Sequence, residues 1–333
     1  MAGYSCHMVR FTVLASGSKG NSTVVSGGRT RILVDAGLSC RELFRRMKLA
    51  GEDPSALDAI VITHEHQDHI NGLAVTARKL GIPVYFTEPT HRAWMRWLMP
   101  RRQMTYAQWL EQCRKQAAER QAESAPACAE ENDADEPEGQ SVVAIAAQVS
   151  SESEAEPSKS SKDDPAWLPA VEYFQPGEPF RISDIDLKPF TIPHDAADPV
   201  GFVFESEGVR MGFATDLGYI PPNVKAQLAG VDLLLLESNH DLEMLRDGPY
   251  PWSVKQRVLS RVGHLSNDAM GKYLATEYDG GAAYVILAHL SESNNLPELA
   301  RVSADQALVG RASLLANRLL VARQSEPLEA ITF

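Results

Sequence analysis

The stretch Ala59-Ile60-Val61-Ile62-Thr63-His64-Glu65-His66-Gln67-Asp68-His69 decides the fold. Its first five residues are apolar or β-branched and predict a buried strand, and residues 68–80 predict a helix. Because side chains two apart on an extended chain point the same way, His64 and His66 are expected on one side of the turn. Four ligand-type side chains therefore lie between a strand and a helix. Imidazole and carboxylate ligands are typical of zinc, manganese and iron sites.

Further ligands are expected elsewhere, since one short turn cannot complete two coordination shells. His194, Asp216 and His289 each follow an apolar run that predicts a strand. Taken singly, such a residue is as readily a cap or core residue as a ligand. Their joint placement at strand ends favours a shared metal site.

This pattern resembles the metallo-β-lactamase superfamily. The resemblance implies an α/β fold, a four-layer αβ/βα sandwich, with two divalent metal ions (zinc, manganese or iron) at one edge. It assigns the first metal to His64, His66 and His194. It assigns the second metal to Asp68, His69 and His289, with Asp216 as the bridge. Asp35 matches the superfamily's structural aspartate, which implies that it braces the loop.

A narrower resemblance, to the YycJ/WalJ group, covers most of the chain. It rests on Ala15-Ser16-Gly17-Ser18-Lys19-Gly20-Asn21-Ser22, Pro193-His194-Asp195-Ala196, Glu237-Ser238-Asn239-His240-Asp241, Gly263-His264-Leu265-Ser266-Asn267 and Leu287-Ala288-His289-Leu290-Ser291. Members of that group are similar to exonucleases that act on DNA from a 5′ end. The resemblance implies a binuclear phosphodiesterase, a 5′-to-3′ DNA exonuclease, in which a metal-bridging hydroxide attacks phosphorus in line.

Two residues are predicted to be catalytic. Asp68 would orient the nucleophile while also serving as a ligand. His264, in the run Gly263 to Asn267, would contact the scissile phosphate or protonate the leaving group. The alternative for that run is a helix start capped by Ser266 or Asn267.

Six residues are predicted to bind substrate: Ser18, Lys19, Asn21, Ser22, Asn239 and His240. The Ser16–Ser22 loop lacks the order of a Walker motif, but its glycines and hydroxyl side chains suit an anion such as a terminal phosphate. An ordinary connection between two strands is the alternative. For His240 a supporting role behind the ligands is favoured.

The acidic charge of the chain is concentrated in one segment. The formal net charge is −12, and residues 121–165 hold twelve Asp or Glu against two Lys. This composition predicts a disordered acidic insertion at about 121–165 within a single domain of residues 8–333, after a tail of residues 1–7. A small helical lid is the alternative. Because the remainder is close to neutral, the net charge does not exclude DNA or another phosphodiester as substrate.

The rest of the composition bears on location. No apolar run approaches the roughly 20 residues of a membrane-spanning helix, and residues 1–14 lack the pattern of a secretory signal. The four cysteines are not paired at metal-site or redox-motif spacing, which favours a reducing compartment. These features predict a cytoplasmic enzyme with no membrane partner. They leave its oligomeric state open.

Three other functions fit parts of the pattern. A small-molecule hydrolase of the same fold would use the same metals on a thioester, lactone or β-lactam. A second alternative is a di-iron enzyme that reduces oxygen or nitric oxide. That class usually has a carboxylate at the position of His66, which disfavours it here. A regulatory protein with a structural metal site would be free to lose ligands, and the full set here disfavours it.

Overall fold

The first half of the chain and its last strand form one seven-stranded sheet. Its strands are β1 (Arg10–Ala15), β2 (Ser22–Ser26), β3 (Arg31–Val34), β4 (Ala59–Val61), β5 (Val84–Phe86), β6 (Val171–Tyr173) and β14 (Ile331–Thr332). Their order is β14-β1-β2-β3-β4-β5-β6. The strands from β14 to β3 pair antiparallel, whereas those from β3 to β6 pair parallel.

The second half forms another seven-stranded sheet. Its strands are β7 (Phe180–Ile182), β8 (Ile185–Thr191), β9 (Val200–Ser206), β10 (Val209–Ala214), β11 (Leu233–Glu237), β12 (Tyr284–Ala288) and β13 (Arg318–Val321). They run in the order β13-β12-β11-β10-β9-β8-β7. Strands β10 to β13 are parallel, so their carboxyl ends lie at one edge.

Nine α-helices are found among the described residues, with one 3-10 turn at Pro54–Ala56. They are α1 (Cys40–Leu49), α2 (Gln67–Ile70), α3 (Leu73–Leu80), α4 (Glu88–Leu98), α5 (Pro222–Leu228), α6 (Leu242–Asp247), α7 (Trp252–Val258), α8 (Asn267–Thr276) and α9 (Pro297–Leu308).

Alternation along the strands divides the core into three layers of apolar side chains. In β11, Leu233 and Leu235 pack between the two sheets, while Leu234 and Leu236 pack against α5, α8 and α9. The outer face of the first sheet is covered in the same way by α1, α3 and α4. Because successive strand residues face opposite sides, both sheets are apolar on both faces. This is the predicted αβ/βα four-layer sandwich, and the prediction is confirmed.

The prediction of one helix over residues 68–80 is wrong in one respect, because the structure has two helices there, α2 and α3. The helix is interrupted at Gly72, whose backbone N–H donates to the carbonyl of Ala36 at 2.8 Å. A Cβ at this position would lie 2.0 Å from the carbonyl oxygen of Leu38. Only glycine permits such a close approach, and the contact is with a residue more than thirty positions away.

The structure, a computed structural model, describes residues 8–98, 164–309 and 318–333, together with Arg114. The chain divides into two compact units, Met1–Leu98 with Lys162–Phe333, and Met99–Ser161. All the elements above belong to the first unit. The predicted tail and, apart from residues 164 and 165, the predicted acidic insertion lie outside the described residues. No helix in the described ranges is long and apolar enough to cross a membrane.

Candidate metal centre

Ligand-type residues follow the carboxyl ends of five strands. Asp35 follows β3 and His64 follows shortly after β4, and these strands are parallel neighbours. Asp216, Glu237 and His289 stand at or just past the ends of β10, β11 and β12, which are also parallel neighbours. Carboxyl ends of adjacent parallel strands meet at one edge of a sheet, which is where α/β proteins commonly place their sites.

Three of these residues have a left-handed backbone. The φ angles are 60° for Asp35, 61° for Asp216 and 57° for His289. A non-glycine residue in this region costs of order 1–3 kcal/mol and persists only where its surroundings hold it. Their shared conformation at three strand ends makes this edge a candidate functional site.

Three histidines form the first group of candidate ligands. In His64, His66 and His194, one ring nitrogen of each lies within 4.8 Å of those of the other two. Nε2 of His194 is 3.2 Å from Nδ1 of His66, and Nδ1 of His194 contacts the carbonyl of Gly263 at 3.1 Å. Burial lowers the pKa of His194 and, together with repulsion from His69, holds the pKa of His64 well below its ordinary value. The neutral imidazole so favoured is the form that binds metal.

Asp68, His69 and His289 form the second group. Oδ2 of Asp68 lies 3.4 Å from Nε2 of His69 and 3.4 Å from Nε2 of His289. Burial opposes the charged form of Asp68, but the two histidines outweigh it and hold the pKa of the carboxyl well below its usual range. The group therefore presents one carboxylate and two imidazoles to the same point.

Asp216 lies between the two groups. Its Oδ2 is 3.4 Å from Nε2 of His69, and its Oδ1 is 3.2 Å from Nδ1 of His289. One of its oxygens also falls within 4.8 Å of ring nitrogens of His64 and His69. The side chain is 2% exposed. Asp216 is thus placed to reach ions on either side.

Two buried atoms of these groups provide a test of whether a cation fits here. Nε2 of His64 and Oδ2 of Asp216 are inaccessible and have no hydrogen-bond partner among the described residues. Buried polar atoms normally have hydrogen-bond partners, so these two atoms, which have none, are available to coordinate a metal ion. Burial opposes protonation of His69, yet Asp68 and Asp216 hold its pKa well above the ordinary value. The carboxylates therefore favour positive charge at this point, and the residues fit a divalent metal.

Glu237 is a site residue that the sequence analysis quoted only as part of a motif. It is fully buried, and its Oε1 lies 2.8 Å from Nδ1 of His264 and 2.9 Å from Nδ1 of His289. Its Oε2 accepts backbone N–H bonds from Leu217 and Leu265. Burial opposes ionisation, but His264 and the hydrogen bonds outweigh it and lower the pKa of Glu237. The signal that was available is an acidic residue closing the apolar run of β11.

His264 lies beside both metal groups without belonging to the predicted ligand set. Its ring centroid is 5.1 Å from that of His194 and 5.2 Å from that of His289. Nδ1 is engaged by Glu237, whereas Nε2 has no partner within the described ranges. The helix start predicted as the alternative also exists, since Ser266 caps α8 by accepting the N–H of Ala269. Capping by Ser266 leaves the His264 ring free to face the site.

A cavity of about 360 Å³ opens beside these groups. Its lining comprises Ser18, His66, Gln67, Asp68, Asp216, Asn239, Tyr250, Val254, Arg257, Val258, His264, His289 and Ser291. Of the predicted substrate-binding residues, Ser18 and Asn239 are therefore placed on the cavity. Tyr250 and Arg257 are lining residues that the sequence analysis did not single out, because neither belongs to a ligand-type motif.

The other four predicted substrate-binding residues lie off the cavity wall. Lys19 is exposed, with Nζ 2.5 Å from Oε2 of Glu292. Asn21 is buried and supports the ligands, since its Nδ2 donates to Oδ2 of Asp68 at 3.0 Å. Ser22 is buried at the start of β2, and its hydroxyl donates to the carbonyl of Asn21. His240 is 1% exposed, and neither ring nitrogen has a hydrogen-bond partner in the described part of the chain.

Comparisons with known proteins agree with this geometry. The family model of the metallo-β-lactamase superfamily matches residues 15–251. The chain is 32% identical over 300 residues to exodeoxyribonuclease YycJ of Bacillus anthracis, covering 90% of this chain and 89% of that protein. It is 30% identical over 294 residues to exodeoxyribonuclease WalJ of Streptococcus pneumoniae, covering 88% and 86%.

Solved structures share the fold at low identity. The metallo-β-lactamase fold protein YhfI from Bacillus subtilis has a TM-score of 0.58 at 14% identity, covering 97% of this chain and 99% of that one. Unliganded yeast PDE1 has a TM-score of 0.57 at 13% identity, covering 98% and 100%. These likenesses confirm the architecture.

Proposed function

The chain belongs to the metallo-β-lactamase superfamily, and from that premise we propose that it is a binuclear metal-dependent phosphodiesterase, a 5′-to-3′ DNA exonuclease. The observation that carries the proposal is the clustering of seven ligand-type side chains, two of which, His64 and Asp216, have a buried atom with no hydrogen-bond partner among the described residues. The names of its relatives, exodeoxyribonucleases at 30% identity or more, point to DNA as the substrate.

The two ions would be held by residues from both sheets. The first would be bound by His64, His66 and His194, and the second by Asp68, His69 and His289, with Asp216 shared between them. When bound, two divalent ions supply a water of lowered pKa and neutralise charge on the phosphodiester. Zinc, manganese and iron all suit this mixture of imidazole and carboxylate.

Asp68 and His264 have the positions needed to handle protons. The carboxylate of Asp68 is partly exposed to the cavity and accepts hydrogen bonds, so it can orient an attacking water. His264 is held through Nδ1 by Glu237, which leaves Nε2 to donate a proton to the leaving oxygen. A general acid of this kind contributes roughly 10²- to 10⁴-fold to the rate.

The Ser16–Ser22 loop is proposed to read the end of the strand. Ser18 lines the cavity, and Lys19 adds a positive charge to the loop, where it pairs with Glu292. The loop is held in shape by Gln324, whose side chain accepts from the N–H of Lys19 and donates to the carbonyl of Gly20. A terminal phosphate bound here would account for digestion from a 5′ end.

The test is digestion of duplex DNA by the purified full-length protein with Mn²⁺. Substrates carry a 5′ phosphate or a 5′ hydroxyl and a fluorophore at the 3′ end, so that stepwise loss from the 5′ end gives a ladder. A His64→Ala/His66→Ala protein, which lacks two ligands of the first metal, is the control.

The proposal predicts a ladder with the wild-type protein and none with the control. Faster digestion of the 5′-phosphorylated strand would support the role of the loop. A metal-loaded protein that digests neither substrate would contradict the nuclease proposal. It would favour the alternative of a small-molecule hydrolase of the same fold that acts on a thioester or lactone.

A further inference from the structure

One wall of the metal cavity is formed by α7. Val254, Arg257 and Val258 of this helix line the same cavity as Asp68 and the other proposed ligands on its wall. Among the described lining residues, Arg257 is the one with a permanent positive charge. Arg257 and Asp68 line the same cavity, so the guanidinium shares that space with the proposed ligands.

Arg257 is tied to the metal centre by an ion pair. Its Nε donates to Oδ2 of Asp195 in a short hydrogen bond. Asp195 directly follows the ligand His194, and its Oδ1 is 3.5 Å from Nε2 of that histidine. The guanidinium is thereby fixed relative to the first group of ligands, although α7 belongs to a different part of the chain.

The rest of the guanidinium is available to a ligand. Among the described residues, the hydrogen bonds of the Arg257 guanidinium involve Nε and neither Nη, and the side chain is 57% exposed. A planar guanidinium with free N–H groups suits phosphate oxygens, because it can donate two parallel hydrogen bonds to them. Positioned by Asp195, it loses less freedom on binding than an unrestrained arginine would.

A substrate with more than one phosphate also needs a cationic group for a phosphate other than the one that is cleaved. A nucleic-acid strand carries one charge per phosphate, and the metals and His264 serve only the phosphate that is cleaved. The cavity otherwise presents carboxylates and neutral side chains, such as Asp216, Asn239 and Tyr250. A neighbouring phosphate would therefore enter without compensation unless Arg257 contacts it.

We propose that Arg257 binds the backbone phosphate adjoining the scissile one, and that Asp195 is its positioning residue. The inference rests on the proposed function and deepens it, because it defines a second phosphate subsite. A substrate with a single phosphate does not use this subsite, whereas a strand of two or more nucleotides does.

The experiment measures KM and kcat on 5′-phosphorylated oligonucleotides over a range of salt concentrations. Arg257→Gln removes the charge, and Arg257→Lys keeps it without the planar fork. Arg246→Gln is the matched control, because Arg246 is an exposed arginine of α6 that pairs with Asp247 and does not line the cavity. Metal content and melting temperature are measured for each variant.

Arg257→Gln is expected to raise KM about tenfold or more, as loss of a charged hydrogen bond does. It should also lower the steepness of log(kcat/KM) against log salt by about 1, the contribution of one phosphate contact. Arg257→Lys should keep the salt dependence but not the low KM. Arg246→Gln should change neither quantity.

The phosphate is located by substrates with one neutral methylphosphonate. Neutralising the adjoining phosphate should raise KM for the wild-type protein and have little effect on Arg257→Gln. The inference would be overturned if no methylphosphonate position has an effect on KM that depends on Arg257. It would also be overturned if Arg257→Gln leaves KM and the salt dependence unchanged. Either result would leave a working nuclease. A wild-type protein without metal-dependent digestion would instead overturn the proposed function, and the inference with it.

The role of Asp195 is tested by a double-mutant cycle. Asp195→Asn should raise KM in the wild-type background and add nothing in the Arg257→Gln background. Equal effects in both backgrounds would show that Asp195 acts through His194, which would overturn its role as positioning residue for Arg257.

Discussion

Oδ2 of Asp35 lies 2.7 Å from Nδ1 of His69, and both side chains are fully buried. The same carboxylate also accepts the backbone N–H and the hydroxyl of Thr63, each at 2.9 Å. Asp35 therefore fixes the ring of His69 so that Nε2 faces Asp68 and Asp216, and it ties β3 to the turn that carries the histidines. The bracing role expected from sequence has a definite atomic form.

Loss of this brace should weaken metal binding. Asp35→Asn is expected to lower metal affinity roughly 10- to 100-fold, as removal of a carboxylate behind a ligating histidine typically does. The change in affinity is measured by calorimetry as metal is titrated into the metal-free protein. Asp247→Asn, at an exposed carboxylate, is the control, and equal affinities of the two variants would contradict the role of Asp35.

Glu237 and His264 should be separable by metal content. His264→Ala is expected to lower kcat by roughly 10²- to 10⁴-fold with metal content unchanged, because we propose that His264 is a proton donor and not a ligand. Glu237→Gln is expected to lower both kcat and metal content, since Glu237 also contacts the proposed ligand His289. Elemental analysis beside single-turnover kinetics distinguishes them. A His264→Ala protein that loses its metal would show that His264 is a ligand.

Gly72 is predicted to be indispensable for packing. Gly72→Ala places a methyl group against the carbonyl of Leu38, and overpacking of this kind costs about 1–3 kcal/mol in free energy of unfolding. Gly271→Ala, within α8, meets its nearest atom at 3.4 Å and gains helix propensity. Urea denaturation should show the first variant destabilised and the second not. Equal midpoints would contradict the prediction.

Burial of His240 should make stability depend on pH. Burial lowers the pKa of His240 to about 4 from an ordinary 6.5. Below pH 6.5 the unfolded chain binds a proton that the folded protein does not take up until about pH 4, so the free energy of unfolding falls across that window.

His240→Gln should remove this component. Relative to wild type, the variant should gain stability as pH falls from 7 to 4, by at most about 3 kcal/mol. Comparing the two proteins at each pH removes the contributions that they share. A constant difference in the free energy of unfolding between pH 7 and pH 4 would show that His240 is not held neutral.

The proposed ligands could be selected from the sequence because each has a local signal. His194, Asp216 and His289 stand where apolar strands end, and the histidine run has its own spacing. The four-layer sandwich was implied by the resemblance to the metallo-β-lactamase superfamily and not by the strand pattern alone. The short strands β6, β7 and β14 carry little periodicity, and the sequence analysis did not predict them.

What the sequence could not provide depends on distant contacts. Glu237 looks like an ordinary end of a strand, and its partner His264 is 27 positions away. Nothing in the sequence distinguishes Arg257 from the other arginines. Its hydrogen bond to Asp195 is visible only in the structure. The break between α2 and α3 is set by Leu38, on the far side of the histidine run. His240 belongs to a motif that the sequence analysis quoted, but its burial is visible only in three dimensions.

The central claim, a two-metal hydrolytic site, is tested most directly by titrating metal-free protein with Mn²⁺ or Zn²⁺ while nuclease activity and bound metal are measured together. The account predicts activity that rises to a plateau at two ions per chain, and an Asp216→Asn protein that binds metal more weakly and stays nearly inactive at every concentration. Full activity in the metal-free protein, or in Asp216→Asn, would contradict it.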